Sequence, residues 1–261
     1  MMNLIQAIIL GIIQGITEWL PISSEGQSIL FMLQYLHINP ENVISVAIFL
    51  HLGTTIAVSI KFRREFLEIL KNLNSKLAKI IIISTFSSAI TAIPLFIFLK
   101  ETFNQGEFAT MFIGVMLIAT GLVLKFSRRP GNKTLEEITT KDIVTVGLAQ
   151  GFAILPGISR SGTTIAVLLL SNIEQKLALT ISFIMSVPVV LGAIVLDIDS
   201  ISTIPISNAI TMMLVSLVVG YATMDLLLRF AEKVNFSKFC VSLGGITLIY
   251  SLLPYLWFLY F

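Results

Sequence analysis

Two polar clusters interrupt a chain that is otherwise almost entirely apolar. The first contains Gln14, Glu18, Ser23, Ser24, Glu25 and Gln27. Gln14 and Glu18 are four apart and share one face of a helix. A carboxylate at membrane depth is expensive, and by default it marks a functional site. The second cluster reads Pro156-Gly157-Ile158-Ser159-Arg160-Ser161-Gly162-Thr163-Thr164, with one arginine, four hydroxyls and two glycines in nine residues. Its glycines let the backbone approach a ligand closely. A helix beginning near Gly162 aims its first amides and the positive end of its dipole at the same place. Arg160 adds a planar fork of donors suited to phosphate oxygens. Together these make an anion site, and phosphate is its best-fitting occupant. When the two clusters meet, carboxylates face that phosphate. They repel it unless a divalent cation lies between or one of them carries a proton. Both arrangements belong to phosphoryl transfer rather than to simple phosphate binding.

The elements that carry these clusters belong to a membrane protein. Hydrophobic residues make up 56% of the 261 residues and charged residues only 12%, against about 25% charged in a soluble domain, and the mean hydropathy is +0.93. Six stretches, 41–61, 77–99, 107–126, 174–196, 205–229 and 237–260, are long and apolar enough to span a bilayer. Two further apolar regions, 3–36 and 142–170, are each broken by a proline- and glycine-bearing polar cluster, and the halves on either side are too short to cross. Backbone of that kind is tolerated in a membrane only inside protein or beside water, so each region reads as a re-entrant helix–loop–helix hairpin. A net charge of +2 gives no reason to expect nucleic acid, and the lone Cys240 excludes an internal disulfide. Nothing in the first apolar stretch has the pattern of a cleavable signal.

The broken regions resemble each other. Gly11, Gln14, Gly15, Ile22, Ser23 and Gly26 fall on Gly147, Gln150, Gly151, Ile158, Ser159 and Gly162 at a constant offset of 136. This indicates an internal duplication within one all-α membrane domain, residues 1–126 and 142–261. Each half then holds one hairpin and three spans. Three is odd, so the second half is inverted relative to the first, and such repeats place a site near the midplane at their interface. Assigning sides by span count puts fifteen Lys and Arg residues, Arg128, Arg129 and Lys233 among them, on one side and only Lys100 on the other. The basic side is then cytoplasmic, the termini and the mouth of the first hairpin face outward, and the acidic loop at Asp197 and Asp199 lies outside. Segment 62–79 is either a basic amphipathic stretch on the inner leaflet or a solvated loop.

Blander readings exist for single residues. Isolated serines and threonines in membrane helices bond to their own backbone or to a neighbouring helix. The clustering around Arg160 sets that stretch apart. Glu18 beside Trp19 could be an anchor at the membrane boundary, and Glu25 could cap a helix start. His51, within an apolar span, reads as a helix-packing hydrogen bonder rather than a catalyst. His37, at a helix end, reads as structural.

Gly11-Ile12-Ile13-Gln14-Gly15-Ile16-Thr17-Glu18-Trp19-Leu20-Pro21-Ile22-Ser23-Ser24 resembles the first signature of the undecaprenyl-diphosphate phosphatases, also called bacitracin-resistance proteins. Leu155-Pro156-Gly157-Ile158-Ser159-Arg160-Ser161-Gly162-Thr163-Thr164 resembles the second, and Ser182, Phe183 and Pro188 also fit. The resemblance covers essentially the whole chain. It implies removal of the terminal phosphate from a polyprenyl diphosphate, six spans with two re-entrant hairpins, a divalent-metal requirement and a site open to the outer face. The chain departs from the pattern at Gln14, where the family usually has glutamate, and at Gln27, where it usually has histidine. Glutamine can neither titrate near neutrality nor attack phosphorus. Glu25 stands where a small hydroxyl residue is common and takes over part of the lost work. The Ser23-Ser24-Glu25-Gly26-Gln27 form looks like an archaeal branch, whose lipid would be dolichol-like.

The mechanism expected from these readings has Ser24 attacking the terminal phosphorus, with Ser23 as second choice. Glu18 is the general base or a metal ligand. Arg160, with Ser159, Ser161, Gly162, Thr163 and Thr164, holds the phosphate, and Gln14 and Gln27 border the substrate. A divalent cation, Mg²⁺ by preference, bridges Glu18 or Glu25 to the diphosphate. The substrate is a polyprenyl diphosphate lipid in the cell membrane, and a homodimer is left open. The rival reading is a polyprenyl-phosphate flippase without hydrolysis, since inverted repeats with broken helices are also a transporter architecture.

Overall fold

The computed structural model describes residues 2–102, 106–126 and 131–260; Arg128 and Arg129 and the side chain of Lys233 fall outside what it describes. The described chain is helical apart from two isolated bridges that join Gly131 to Glu174 and Lys133 to Ile173. In chain order the helices are α1 (Leu4–Thr17), α2 (Ser24–Gln34), α3 (Pro40–Lys61), α4 (Arg63–Lys71), α5 (Lys76–Thr102), α6 (Gly106–Phe126), α7 (Thr140–Gly151), α8 (Arg160–Leu170), α9 (Gln175–Leu196), α10 (Ile198–Ile201), α11 (Ile206–Lys233) and α12 (Phe236–Tyr260). A short 3₁₀ turn, Phe152–Ile154, follows α7.

Among the described residues six helices, α3, α5, α6, α9, α11 and α12, are long and apolar enough to cross a membrane. They coincide with the six stretches expected from composition. The longest of the four short helices in the broken regions, α1, has 14 residues. At about 1.5 Å per residue it reaches only ~21 Å, short of a ~30 Å hydrocarbon core. Segment 62–79 is helical at its start: α4 carries a basic N-terminus, buries Ile69 and leaves Leu67 and Leu70 exposed.

Small residues and hydroxyls hold the bundle together, as expected where lipid removes the hydrophobic drive for helix association. Helix α1 lies on α11 through Gly11 and Gly15, where a Cβ on Gly15 would come within 2.8 Å of Val219 Cβ and of the Gly220 nitrogen. The Trp19 indole donates to the Gly220 carbonyl at 3.0 Å and the Thr223 hydroxyl to the Gly15 carbonyl at 3.0 Å. Helix α7 lies on α5 in the same manner. The Ser88 hydroxyl donates to the Gly147 carbonyl at 2.9 Å, and the Thr91 hydroxyl to the Leu148 carbonyl at 2.9 Å. Helix α6 packs along α12, where the Ser237 hydroxyl donates to the Gly121 carbonyl at 2.7 Å. Helix α3 is central, against both α9 and α11. Large apolar side chains such as Phe86, Ile90, Val218 and Leu226 point outward from this bundle.

The acidic loop at Asp197 and Asp199 is tied to the bundle. Asp197 is not exposed at the head of that loop. It is buried and pairs with Lys100 at 2.6 Å, and Lys100 also donates to the hydroxyls of Ser45 at 3.1 Å and Ser200 at 3.0 Å. Lys100 therefore neutralises the first acid of the loop and ties the ends of α5, α9 and α3 together.

Candidate active site

The two polar loops touch, and each is shaped by a serine cap and a glycine. Ser23 caps α2 from the left-handed region (φ 60°), its hydroxyl accepting from the Gly26 amide at 3.2 Å. Ser159 caps α8 and accepts from the Gly162 amide at 3.1 Å. Gly157 has φ +102°, which glycine adopts without strain. Its amide donates across the interface to Ser23 Oγ at 3.0 Å. A Cβ on Gly26 would stand 3.0 Å from the Gly157 nitrogen, and one on Gly162 would stand 3.2 Å from Pro21 Cβ. Thr120 of α6 fastens the second loop from behind. Its hydroxyl donates to the Gly157 carbonyl at 2.8 Å and accepts from the Ser159 amide at 3.0 Å.

Glu18, at the end of α1, is where the two clusters converge. Its Oε1 is paired with Arg160 Nη2. Its Oε2 accepts from the Ser24 hydroxyl at 2.7 Å and from Gln14 Nε2 at 2.8 Å. His51 of α3 completes the group, with Nε2 3.3 Å from Ser24 Oγ and 3.4 Å from Glu18 Oε2. Arg160 lies over the Phe183 ring, its Cζ 5.5 Å from the centroid, and Nη1 reaches the Ser182 carbonyl at only 3.4 Å. Phe183 is itself held between Trp19 and Phe62, with centroids at 5.6 and 6.4 Å. A guanidinium lying over an aromatic ring keeps its orientation while part of its donor fork stays available.

These residues border a cavity of about 510 Å³. Glu18, Ser23, Ser24, Glu25, His51, Ser159, Arg160 and Ser161 form its polar end. The remainder is walled mainly by apolar side chains of α5, including Ile93 and Phe96, and of α9 from Pro188 to Leu196. Leu191, Val195 and Leu196 are also exposed, so the apolar wall continues to the outer face of the bundle. Pro94 and Pro188 interrupt the hydrogen-bond ladders of the same two helices.

The remaining expected site residues stand apart from the cavity. Gln14 is fully buried, does not line the cavity and props the Glu18 carboxylate. Gln27 turns away, its amide donating to the Ile22 carbonyl at 3.0 Å. Gly162 binds its own cap, the Thr163 amide donates to the Ser159 carbonyl at 2.9 Å, and Thr164 bonds the Ser182 hydroxyl at 2.6 Å. Ser23 has its oxygen engaged by two amides, which suits a lock better than a nucleophile. His51, expected only to pack, faces the serine, and Thr120, Ser182 and Phe183 support the loop and the arginine. Ser182 and Phe183 had already stood out through the family resemblance, whereas His51 on α3 and Thr120 on α6 give no local motif.

For a metal, the donors divide. Both Glu18 oxygens are already engaged. Glu25 is buried and borders the cavity, and its Oε1 has no hydrogen-bond partner. Among the described residues no three His, Cys, Asp or Glu side chains converge as a protein-only cage. An ion such as Mg²⁺ commonly uses one or two carboxylates and completes its shell with water and substrate phosphates. The orphaned oxygen of Glu25 fits that arrangement.

The fold and the site together define a polytopic helical membrane protein with an arginine- and hydroxyl-bearing centre at the end of an apolar cavity. The family profile described as "Bacitracin resistance protein BacA" matches residues 7–246. An undecaprenyl-diphosphatase of Methanothrix thermoacetophila is 50% identical over 97% of this chain and 99% of its own length. One of Methanopyrus kandleri is 39% identical over 93% and 94%. "Undecaprenyl-diphosphatase 4" of Bacillus thuringiensis is 32% identical over 97% and 98%. The chain belongs to the bacitracin-resistance protein family.

Proposed function

We propose that this protein is a membrane phosphatase that hydrolyses undecaprenyl diphosphate, or a closely similar polyprenyl diphosphate, to the monophosphate and inorganic phosphate. The observation that carries this reading is the convergence of Ser24 and Arg160 on one carboxylate, Glu18, at the polar end of an apolar cavity. A hydroxyl nucleophile and a cationic fork on one anchor suit attack on a phosphorus whose oxygens the arginine holds. Ser24 attacks the terminal phosphorus, and Arg160, with Ser159 and Ser161 beside it, stabilises the charge that develops there. Glu18 aligns both partners. A divalent cation held by Glu25 would offset the charge of the diphosphate. The apolar walls on α5 and α9 receive the first isoprene units, and the rest of the tail lies in lipid.

Hairpins α1–α2 and α7–α8 are re-entrant, and the halves form an inverted repeat. Several mirrored features support this: α1 on α11 against α7 on α5, Ser23 and Ser159 as matched caps, and Gly26 and Gly162 each pressed against the opposite loop. The basic loops are cytoplasmic and the site opens toward the outer face of the cell membrane, in accord with the charge bias of the sequence.

The test is phosphate release by the purified protein from farnesyl and longer prenyl diphosphates, with and without Mg²⁺. Arg160→Ala and Glu18→Ala should each lower kcat/KM by about 10²-fold or more. Rates near that of the unmodified protein for both variants would overturn the site, and absence of phosphate release in detergent would overturn hydrolysis itself and favour lipid translocation.

A further inference from the structure

We infer that His51 is a catalytic residue, whose Nε2 takes the Ser24 proton during attack on phosphorus. The assignment rests on the phosphatase reading above and adds to it the group that moves the proton. His51 Nδ1 lies 2.8 Å from the Ala47 carbonyl, an oxygen that can only accept, so Nδ1 carries the hydrogen. The neutral ring then has its lone pair on Nε2, the atom 3.3 Å from Ser24 Oγ. A carbonyl one helical turn back on α3 thus fixes both the tautomer and the aim of the ring.

The neighbouring carboxylate is less suited to the transfer. Glu18 is closer to Ser24, but Arg160 pairs with one of its oxygens and Gln14 donates to the other. Those partners hold the carboxylate as an anchor. The same geometry serves His51, because a proton received on Nε2 arrives 3.4 Å from Glu18 Oε2 and the new imidazolium has a counter-charge beside it. Serine, imidazole and carboxylate are thereby placed for nucleophile activation, with the carboxylate touching the other two.

The step balances as follows. Ser24 Oγ bonds to the terminal phosphorus as its proton moves to His51 Nε2. The bond from that phosphorus to the bridging oxygen breaks, its electron pair staying on the departing polyprenyl monophosphate, which then takes the proton from His51. Water next attacks the phosphoserine and gives one proton to His51. The bond between phosphorus and Ser24 Oγ breaks, and Oγ recovers that proton, freeing inorganic phosphate.

The experiment compares His51→Asn, His51→Gln and His51→Ala in the full-length protein with farnesyl diphosphate. Asparagine can keep the bond to the Ala47 carbonyl, glutamine can keep a polar group near Ser24, and neither accepts the proton. Both variants should remain folded by thermal melting and lose about 10² to 10⁴-fold in kcat with little change in KM. Added imidazole should restore part of the turnover of His51→Ala but none of Ser24→Ala. Turnover within about threefold of the unmodified protein for the Gln and Asn variants would overturn the assignment, since a general base contributes far more. Unfolding of both would make His51 a packing residue and overturn it equally. No phosphate release by the unmodified protein would overturn the phosphatase reading and this assignment with it, an outcome distinct from the other two.

Discussion

Thr120→Val should disable the second loop although residue 120 is not among the residues expected to meet the substrate. The substitution nearly preserves volume and removes only the hydroxyl. In the structure that hydroxyl is buried and serves two backbone groups, donating to the Gly157 carbonyl and accepting from the Ser159 amide. Leaving a buried donor or acceptor unsatisfied costs about 1–3 kcal/mol. Taking the lower figure for each of the two backbone groups, the loop geometry loses about 2 kcal/mol. That corresponds to a ~30-fold shift toward loop arrangements in which Arg160 and Glu18 no longer meet. The assay is phosphate release beside thermal melting in detergent, with Thr120→Ser as the control that keeps the hydroxyl. Activity should fall by up to that factor in the Val variant and stay near normal in the Ser variant. A Val variant with unchanged rate and melting temperature would refute the claim that this hydroxyl holds the loop.

The cavity and the loop at Asp197 give two further tests. A Cβ on Gly192 meets nothing within 4 Å, and the residue borders the cavity; Gly192→Leu should raise KM for prenyl diphosphates while leaving kcat nearly intact, as steady-state kinetics with farnesyl diphosphate would read directly. Lys100→Met leaves Asp197 buried without its cation, and breaking a buried pair costs about 3–5 kcal/mol. The melting temperature should drop sharply, and Lys100→Met combined with Asp197→Leu should recover much of it; equal melting of all three proteins would show that the pair contributes nothing to stability.

The spans were readable because a bilayer-crossing helix needs only a long apolar run, a property of each segment alone. The contact between the loops was readable for a different reason: Ser23 and Ser159, Gly26 and Gly162 recur at one offset, and the serine of each pair caps the helix that follows its loop. Polar residues set singly in apolar spans were not readable. Thr120 looks like any hydroxyl in a membrane helix, and His51 like any buried ring, because their meaning depends on which loop the bundle packs against them. The burial of Asp197 was not readable for the complementary reason, since it depends on Lys100 from a helix nearly one hundred positions earlier. Gln14 and Gln27 share a composition but serve opposite ends, one propping a carboxylate and the other closing a backbone carbonyl.

The bond from the Gly157 amide to Ser23 Oγ joins residues separated by 134 positions. A ribosome therefore finishes the serine-bearing segment long before the chain that completes its pocket has emerged. On the proposed mechanism, the nascent half until then has Ser24 without the arginine that would hold a headgroup in front of it. On that mechanism the newborn chain would not act on lipid diphosphates as it threads into the bilayer, and its chemistry would begin only with final assembly.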